Sequence, residues 1–262
     1  MKLVVATLTP FTEDGAVDLD TVRRHARWLR DNGADLIAPT GTTGEFLYLS
    51  TEERRAVHRA VLASVDGVIP CVWDSLPGRP EELARAAEAE GACGVFLSPP
   101  LYQRVSDSDI LAWYQRVRDA VSIEVFAYHH PSTHNALSVE LVERLFREVG
   151  VDAMKDSSGD VDRLRALAAA WPGKVWVGGD QLLGQMGSLG PVAGHISGLA
   201  NLYPALARDV LDGADDAGWM AVRTRLRAYG SSVPTMKRAM GFGLRPPVVG
   251  PAVSLDVPSP GF

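Results

Sequence analysis

A chain of 262 residues carries 32 acidic and 26 basic side chains, and a net charge of −6 argues against nucleic acid as its main partner, because phosphate binding needs clustered positive charge. Hydrophobic residues make up 46 %, enough for a sizeable core, and no apolar run reaches the roughly 18 residues of a membrane-spanning helix. The start, MKLVVATLTPFTEDG, lacks the long apolar run and small-residue cleavage site of a signal peptide, and Cys71 and Cys93 stand apart without metal-ligand spacing, so reduced thiols in the cytoplasm are expected.

Short β-like runs alternate with helical patterns along most of the chain. Leu3 to Leu8 is the first run, followed by an amphipathic stretch, Leu19 to Leu29, with Val22, Ala26 and Leu29 on one face. Leu36 to Ala38 precedes Thr51 to Val65, where Ser50 and Glu53 have capping-box spacing. Val68 to Trp73 precedes Glu81 to Glu90, and Pro80 with Glu81 and Glu82 suits a helix start. Gly94 to Leu97 leads to Asp109 to Ala120, and Glu124 to Tyr128 leads to Val139 to Val149. Val151 to Lys155 leads to Val161 to Trp171, and Lys174 to Val177 and Gly194 to Ile196 complete the set. Gly33 and Gly91 each follow a helical stretch, where a left-handed cap fits.

Eight strand-like runs within the first 212 residues predict an α/β fold, a (β/α)8 TIM barrel. A doubly wound sheet is the alternative, weakened because no G-x-G-x-x-G follows the first run. Residues 213–262 form a C-terminal helical extension and Pro-rich tail of the same domain. Asp215 to Arg227 reads as a helix, Pro234 to Met240 as a turn or helix, and Arg245-Pro246-Pro247 opens an extended terminus.

In such a barrel the chemistry lies at the carboxyl ends of the strands. There the sequence places Gly41-Thr42-Thr43-Gly44-Glu45, Tyr128 with His129-His130-Pro131, Lys155-Asp156, Gly179-Asp180 and His195-Ile196-Ser197-Gly198. The chain has four lysines: Lys2 precedes the first strand, Lys174 opens the seventh at the opposite end, and Lys237 lies in the tail. Lys155 alone ends a strand at this face, after Val151, Ala153 and Met154. Desolvation there would lower its pKa and free the amine as a nucleophile toward a keto group, whereas the alternative is an ion pair with Asp156. The glycine–threonine turn offers hydroxyls and free N–H groups to a small carboxylate, or is an ordinary loop. Tyr128 can relay a proton, or is a strand-end tyrosine with its ring in the core.

Taken in order, these residues resemble the pyruvate-dependent class I aldolases, the family of dihydrodipicolinate synthase, N-acetylneuraminate lyase and 2-keto-3-deoxygluconate aldolase. The resemblance runs from Val5 to about Tyr203. It rests on Thr9-Pro10-Phe11, Gly41-Thr42-Thr43-Gly44-Glu45, Pro99-Pro100-Leu101-Tyr102, Tyr128 with Pro131, Lys155-Asp156 with Gly159-Asp160, Gly179-Asp180 and Gly194 to Asn201. It implies that Lys155 forms an imine with pyruvate and that Tyr128 shuttles the proton. Thr42 and Thr43 would hold the pyruvate carboxylate beside Gly44, with Thr43 linked to Tyr128. Tyr102 would complete a relay across a subunit contact, and Ile196 and Gly179 would line the pocket. No metal or organic cofactor is implied. A homo-oligomer, tetramer first and dimer second, follows from the placing of Tyr102, although the C-terminal region is shorter than the family's usual one.

The second substrate is less plain. Dihydrodipicolinate synthases carry an arginine two residues after the proline of the tyrosine loop; here that position is Thr133, and His129 replaces an asparagine. Losing a bidentate carboxylate donor is a substantial change. Polar His130, Ser132, Thr133 and His134 suit a hydroxylated chain, so a lyase or aldolase acting on a 2-keto-3-deoxy acid is preferred to dihydrodipicolinate synthesis. Two other classes stand as alternatives: a metal-dependent aldolase built on His129, His130, His134 and His195, and a non-catalytic pyruvate-binding regulator.

Overall fold

The structure, a computed structural model, describes residues 1–230 and 232–245. The extended terminus expected from Pro246, Pro247 and the later prolines lies outside these residues. Seven strands form one parallel sheet: β1 (Lys2–Ala6), β2 (Leu36–Ala38), β3 (Gly94–Leu97), β4 (Glu124–His129), β5 (Ala153–Asp156), β6 (Val175–Gly178) and β7 (Gly194–Ser197). Their spatial order is β2-β1-β7-β6-β5-β4-β3. Strands of a parallel sheet are covered on both faces and read as unbroken apolar runs. The fully buried Leu3, Val4 and Val5 of β1 and Val95 and Leu97 of β3 follow that rule.

The run expected as a third strand, Val68 to Trp73, is not a regular strand. It touches both sheet edges through isolated parallel bridges, Ile37 with Val68 and Cys71 with Phe96. Ile69 N donates to Ile37 O and Cys71 N to Pro39 O on one side, while Phe96 N donates to Pro70 O and Val72 N to Phe96 O on the other. Alternation along the segment points residues 68, 70 and 72 at β3, and Pro70 has no N–H to give there. The ladder is therefore interrupted at its middle.

Helices pack outside the sheet: α1 (Leu19–Asp31), α2 (Thr51–Leu62), α3 (Arg79–Ala89), α4 (Asp107–Ala120), α5 (Val139–Arg144), α6 (Val161–Ala170) and α7 (Pro204–Leu211). Leu29, Val57, Leu83, Tyr114, Leu141, Leu164 and Val210 from them join the strand residues in one buried cluster. Ser50 and Glu53 form the capping box that their spacing predicts, and Ser106 with Asp109 forms another that starts α4 two residues earlier than its apolar pattern. The helical pattern that ended at Val149 closes in a π-type turn, Leu145–Val149, before left-handed Gly150.

Two helices follow the sheet, α8 (Ala217–Ala228) and α9 (Ser232–Ala239). Trp219 of α8 is fully buried and its Nε1 donates to Asp180 O at 2.7 Å. Lys237 of α9, expected in a tail, is instead fully buried, because its ammonium finds Glu45 Oε2 at 2.6 Å. Among the described residues no helix is long and apolar enough to cross a membrane.

Candidate active site

A cavity of about 340 Å³ opens at the carboxyl ends of the strands, a size usual for small-molecule sites. Lys155, Tyr128, Thr42, Thr43, Ile196, Gly179 and His130 all line it. Adjacent strands bring the first two together: Tyr128 of β4 is the register partner of Lys155 of β5. The Lys155 Nζ lies 4.5 Å from the Tyr128 ring centroid. Trp73 stacks on the same Tyr128 ring, with centroids 4.9 Å apart and planes at 11°, and Phe46 meets Trp73 edge-on. The tyrosine is thus fixed by aromatic packing while the half-buried lysine reaches the cavity.

An ion pair between Lys155 and Asp156 was the alternative reading, and the geometry points elsewhere. Asp156 is fully buried, and its carboxylate accepts from Arg163 Nε at 2.7 Å and Ser158 N at 2.8 Å. Successive strand residues face opposite sides of a sheet, so Asp156 turns toward α6 while Lys155 turns toward the cavity. Among the described residues Lys155 has no carboxylate partner.

The Gly41–Gly44 turn is bracketed by two left-handed non-glycine residues, Thr40 with φ 56° and Glu45 with φ 57°. Such conformations persist only where neighbours enforce them. Thr40 Oγ1 donates to Cys71 O at 3.1 Å and receives His58 Nε2 at 2.6 Å. Burial holds that histidine neutral, with its pKa pushed down to about 3. On the other side Thr9 Oγ1 donates to Gly44 O at 2.8 Å, and Lys237 holds Glu45. Gly44 itself does not reach the cavity: a Cβ there would lie 2.9 Å from Thr40 N and 3.0 Å from Thr7 O, so this glycine serves close backbone packing. No hydrogen bond joins Thr43 to Tyr128 among the described residues; Thr43 instead lies beside Gly198, whose added Cβ would sit 3.3 Å from Thr43 Oγ1.

On the far wall, Asp180 accepts from Ser197 Oγ at 2.6 Å and from Leu199 N at 3.1 Å. His195 is buried beneath it, its Nε2 donating to Gly179 O at 3.2 Å, and burial lowers its pKa. Asn201 ties three elements, accepting from Leu8 N and His25 Nε2 and donating to Ala6 O and Gly198 O. A network saturated in this way holds the ends of β1 and β7 together.

A second hollow of about 360 Å³ shares Thr42, Trp73, Tyr128 and His130 with the first and holds the remaining predicted residues, Tyr102 and Thr133. His130 Nδ1 accepts from Ser132 N at 3.0 Å, and burial, with the charge of Lys155 second, lowers its pKa. Thr133 Oγ1 donates to His130 O at 2.8 Å, so its hydroxyl braces the loop. Tyr102 has φ 69° and is 80 % exposed. Asn135 sustains that strained loop, donating to Pro100 O and Gln103 O and accepting from Val105 N. His129 turns away from both hollows toward Leu137 N, which donates to its Nδ1 at 3.2 Å. Among the described residues no three His, Cys, Asp or Glu side chains gather as a metal-ligand group, so the histidines of this region are not arranged as one.

The roof has no local signature in the sequence. Leu226 and Arg227 of α8 and Ser232, Val233 and Met236 of α9 line the main cavity. A helical pattern after the last strand was visible, but nothing local in it signals which face meets the strand ends.

The chain is similar to known proteins along most of its length. The model of the dihydrodipicolinate synthetase family matches residues 1–227. An uncharacterized DapA-like lyase of Halobacterium salinarum is 33 % identical over 245 residues, covering 92 % of this chain and 79 % of that protein. The 4-hydroxy-tetrahydrodipicolinate synthase of Moorella thermoacetica is 33 % identical over 209 residues, covering 75 % and 71 %. The crystal structure of YagE from E. coli K12, a prophage protein of the dihydrodipicolinic acid synthase family in complex with pyruvate, superposes with a TM-score of 0.87 at 25 % identity, covering 95 % of this chain and 92 % of that one. The chain belongs to the dihydrodipicolinate synthetase family.

Proposed function

From this membership in the dihydrodipicolinate synthetase family, we propose that the protein is a Schiff-base aldolase or lyase that joins pyruvate to an aldehyde, or cleaves the resulting 4-hydroxy-2-oxo acid. The carrying observation is Lys155, an amine in the cavity without a carboxylate partner among the described residues, 4.5 Å from the Tyr128 ring. Its amine adds to C2 of pyruvate and water leaves, giving a protonated imine. Loss of a C3 proton gives an enamine, whose C3 attacks the aldehyde carbon while the aldehyde oxygen takes a proton. Water then hydrolyses the imine and frees Lys155. In the cleavage direction the C3–C4 bond breaks, the 4-hydroxyl proton leaves and the aldehyde departs. Tyr128 carries that proton, and Thr42 and Thr43 hold the pyruvate carboxylate. No external cofactor enters, because the imine is the electron sink.

The preferred substrate is a 2-keto-3-deoxy acid. Dihydrodipicolinate synthesis is the reading favoured by the name of the Moorella relative, and Thr133, a neutral side chain bonded to His130 O, weighs against it. Hydrogen bonding of residues 67–72 to both β2 and β3 supports reading the sheet as a closed eight-membered barrel. Tyr102, strained and exposed near exposed Leu47, supports a homo-oligomer, a tetramer or dimer, in which it enters a partner's site. Free Cys71 and Cys93 fit a cytoplasmic protein.

Borohydride reduction in the presence of pyruvate tests the proposal. A reduced pyruvate adduct at Lys155, absent in Lys155→Ala, is the expected result. Pyruvate release from 2-keto-3-deoxy acids that survives Lys155→Ala would sink the mechanism.

A further inference from the structure

The roof of the cavity carries one basic side chain among the described residues, Arg227. Arg223 and Arg227 stand four residues apart on α8, hence on one face of it, and Arg227 lines the cavity that holds Lys155. Like charges at this spacing destabilise a helix unless something opposes them. Among the described residues neither guanidinium has a hydrogen-bond or ion-pair partner, although Asp180 is close enough to act on Arg223 electrostatically. The Asp180 carboxylate is already committed to Ser197 Oγ and Leu199 N. Partial burial, with the charge of the neighbouring exposed Arg227 second, lowers the Arg223 pKa. The tyrosine loop, by contrast, brings the neutral Thr133 to the adjoining hollow.

We propose that Arg227, seconded by Arg223, is the receptor for an anionic group at the end of the substrate remote from the imine, so that the aldehyde half carries a carboxylate or a phosphate monoester. The inference rests on the aldolase reading above. A substrate spanning the cavity would place its keto carbon at Lys155 and its own 1-carboxylate at the Thr42–Thr43 turn. Its far end would then meet α8. A planar guanidinium takes a carboxylate or phosphate through two parallel hydrogen bonds, which lysine cannot reproduce. The anion would also relieve the repulsion between the two arginines. Specificity would thus come from a helix outside the sheet, at the very end of the family match, which stops at residue 227.

The test uses three 2-keto-3-deoxy acids of matched length, ending in a carboxylate, a phosphate monoester or a hydroxymethyl group. Pyruvate release is measured for each with the wild type, Arg227→Gln, Arg227→Lys and Arg223→Gln. Arg85→Gln, at an exposed arginine of α3, controls for net charge. The ratio of kcat/KM for the better anionic substrate to that for the neutral one is expected to exceed 1 in the wild type. Arg227→Gln is expected to lower it about ten- to a hundredfold, mostly through KM, and Arg227→Lys to recover part of the loss. A preference for either anionic ending supports the site and identifies its ligand. A ratio that Arg227→Gln leaves unchanged, or that Arg85→Gln lowers equally, overturns it. Borohydride trapping of pyruvate by the wild type is run alongside. No trapped imine counts against the proposed function, whereas a trapped imine with an unchanged ratio counts against the anion site alone.

Discussion

The ion pair between Glu45 and Lys237 joins residues 192 positions apart, and its removal should be felt in both stability and the site. Both side chains are out of water: Lys237 is 0 % and Glu45 6 % accessible, with Nζ and Oε2 2.6 Å apart. The Lys237 Nζ also lies 4.0 Å from the centre of the Phe11 ring. In Lys237→Met the carboxylate stays buried without its countercharge, which costs about 3–5 kcal/mol. For a domain of this size each kcal/mol moves the melting midpoint by about 2–4 °C, so a drop on the order of 10 °C is expected. Glu45→Leu leaves the ammonium stranded and should cost a similar amount. The double variant removes both charges, and apolar replacement of a whole buried pair is often near neutral. It should therefore melt well above the sum of the two losses, with a coupling of about 2 kcal/mol or more. Thermal melts of the four proteins give the coupling. Single losses below about 1 kcal/mol, or losses that simply add, would refute the reasoning. Because Glu45 follows the Gly41–Gly44 turn directly, the single variants should also need more pyruvate for half-maximal imine trapping.

Two further outcomes follow from buried groups. His25 and His58 are held neutral by burial, with pKa values pushed down to about 4 and about 3, so acid protonates them first in the unfolded chain. The unfolded state then binds more protons between pH 6.5 and those values, and stability falls as pH falls through that window; at pH 5 each costs about 2 kcal/mol, and a urea midpoint that stays flat from pH 7.5 to 5 would contradict it. A Cβ at Gly194 would run into Lys2 O and lie 2.8 Å from Trp176 Cζ3, whereas one at Gly187 meets nothing within 4 Å. Gly194→Ala should lose about 1–3 kcal/mol or more in a thermal melt and Gly187→Ala almost nothing, and equal melts would count against the close β1–β7 approach.

What the sequence revealed and what it hid divide by distance along the chain. The alternation of apolar runs and the glycine–threonine turn are local signals, and they located Lys155, Tyr128, Thr42 and Thr43 around one cavity. Pro70 is a local signal that the reading of Val68 to Trp73 as a regular strand passes over, since a proline in an interior strand interrupts the ladder. The bonds that hold the site are not local. Asn201 reaches Leu8 across 193 residues, and Glu45 reaches Lys237 across 192. Glu45 and Asn201 lie in segments that carry the resemblance, yet their structural work is not legible there, because a polar side chain declares itself structural only when its partners arrive. Gly44 shows the converse case: a motif glycine placed in the binding set whose work is backbone packing against Thr7 and Thr40.

The two lysines near the cavity decide how a nucleophile is to be recognised. Burial lowers the pKa of Lys237, with Glu45 pulling it back, and on that ground alone it would rival Lys155 as the reactive amine. Its surroundings forbid the reaction. The Lys237 Nζ is closed in by the Glu45 carboxylate and the Phe11 ring, with no accessible surface left for a carbonyl carbon to approach. Lys155 has the opposite arrangement: its strand neighbour Asp156 is taken by Arg163, and its amine borders the cavity under the Tyr128 ring. Access and the lack of a competing carboxylate, rather than depth of burial, distinguish Lys155, which borders the cavity, from Lys237, which fastens α9 to Glu45 at the end of the glycine–threonine turn.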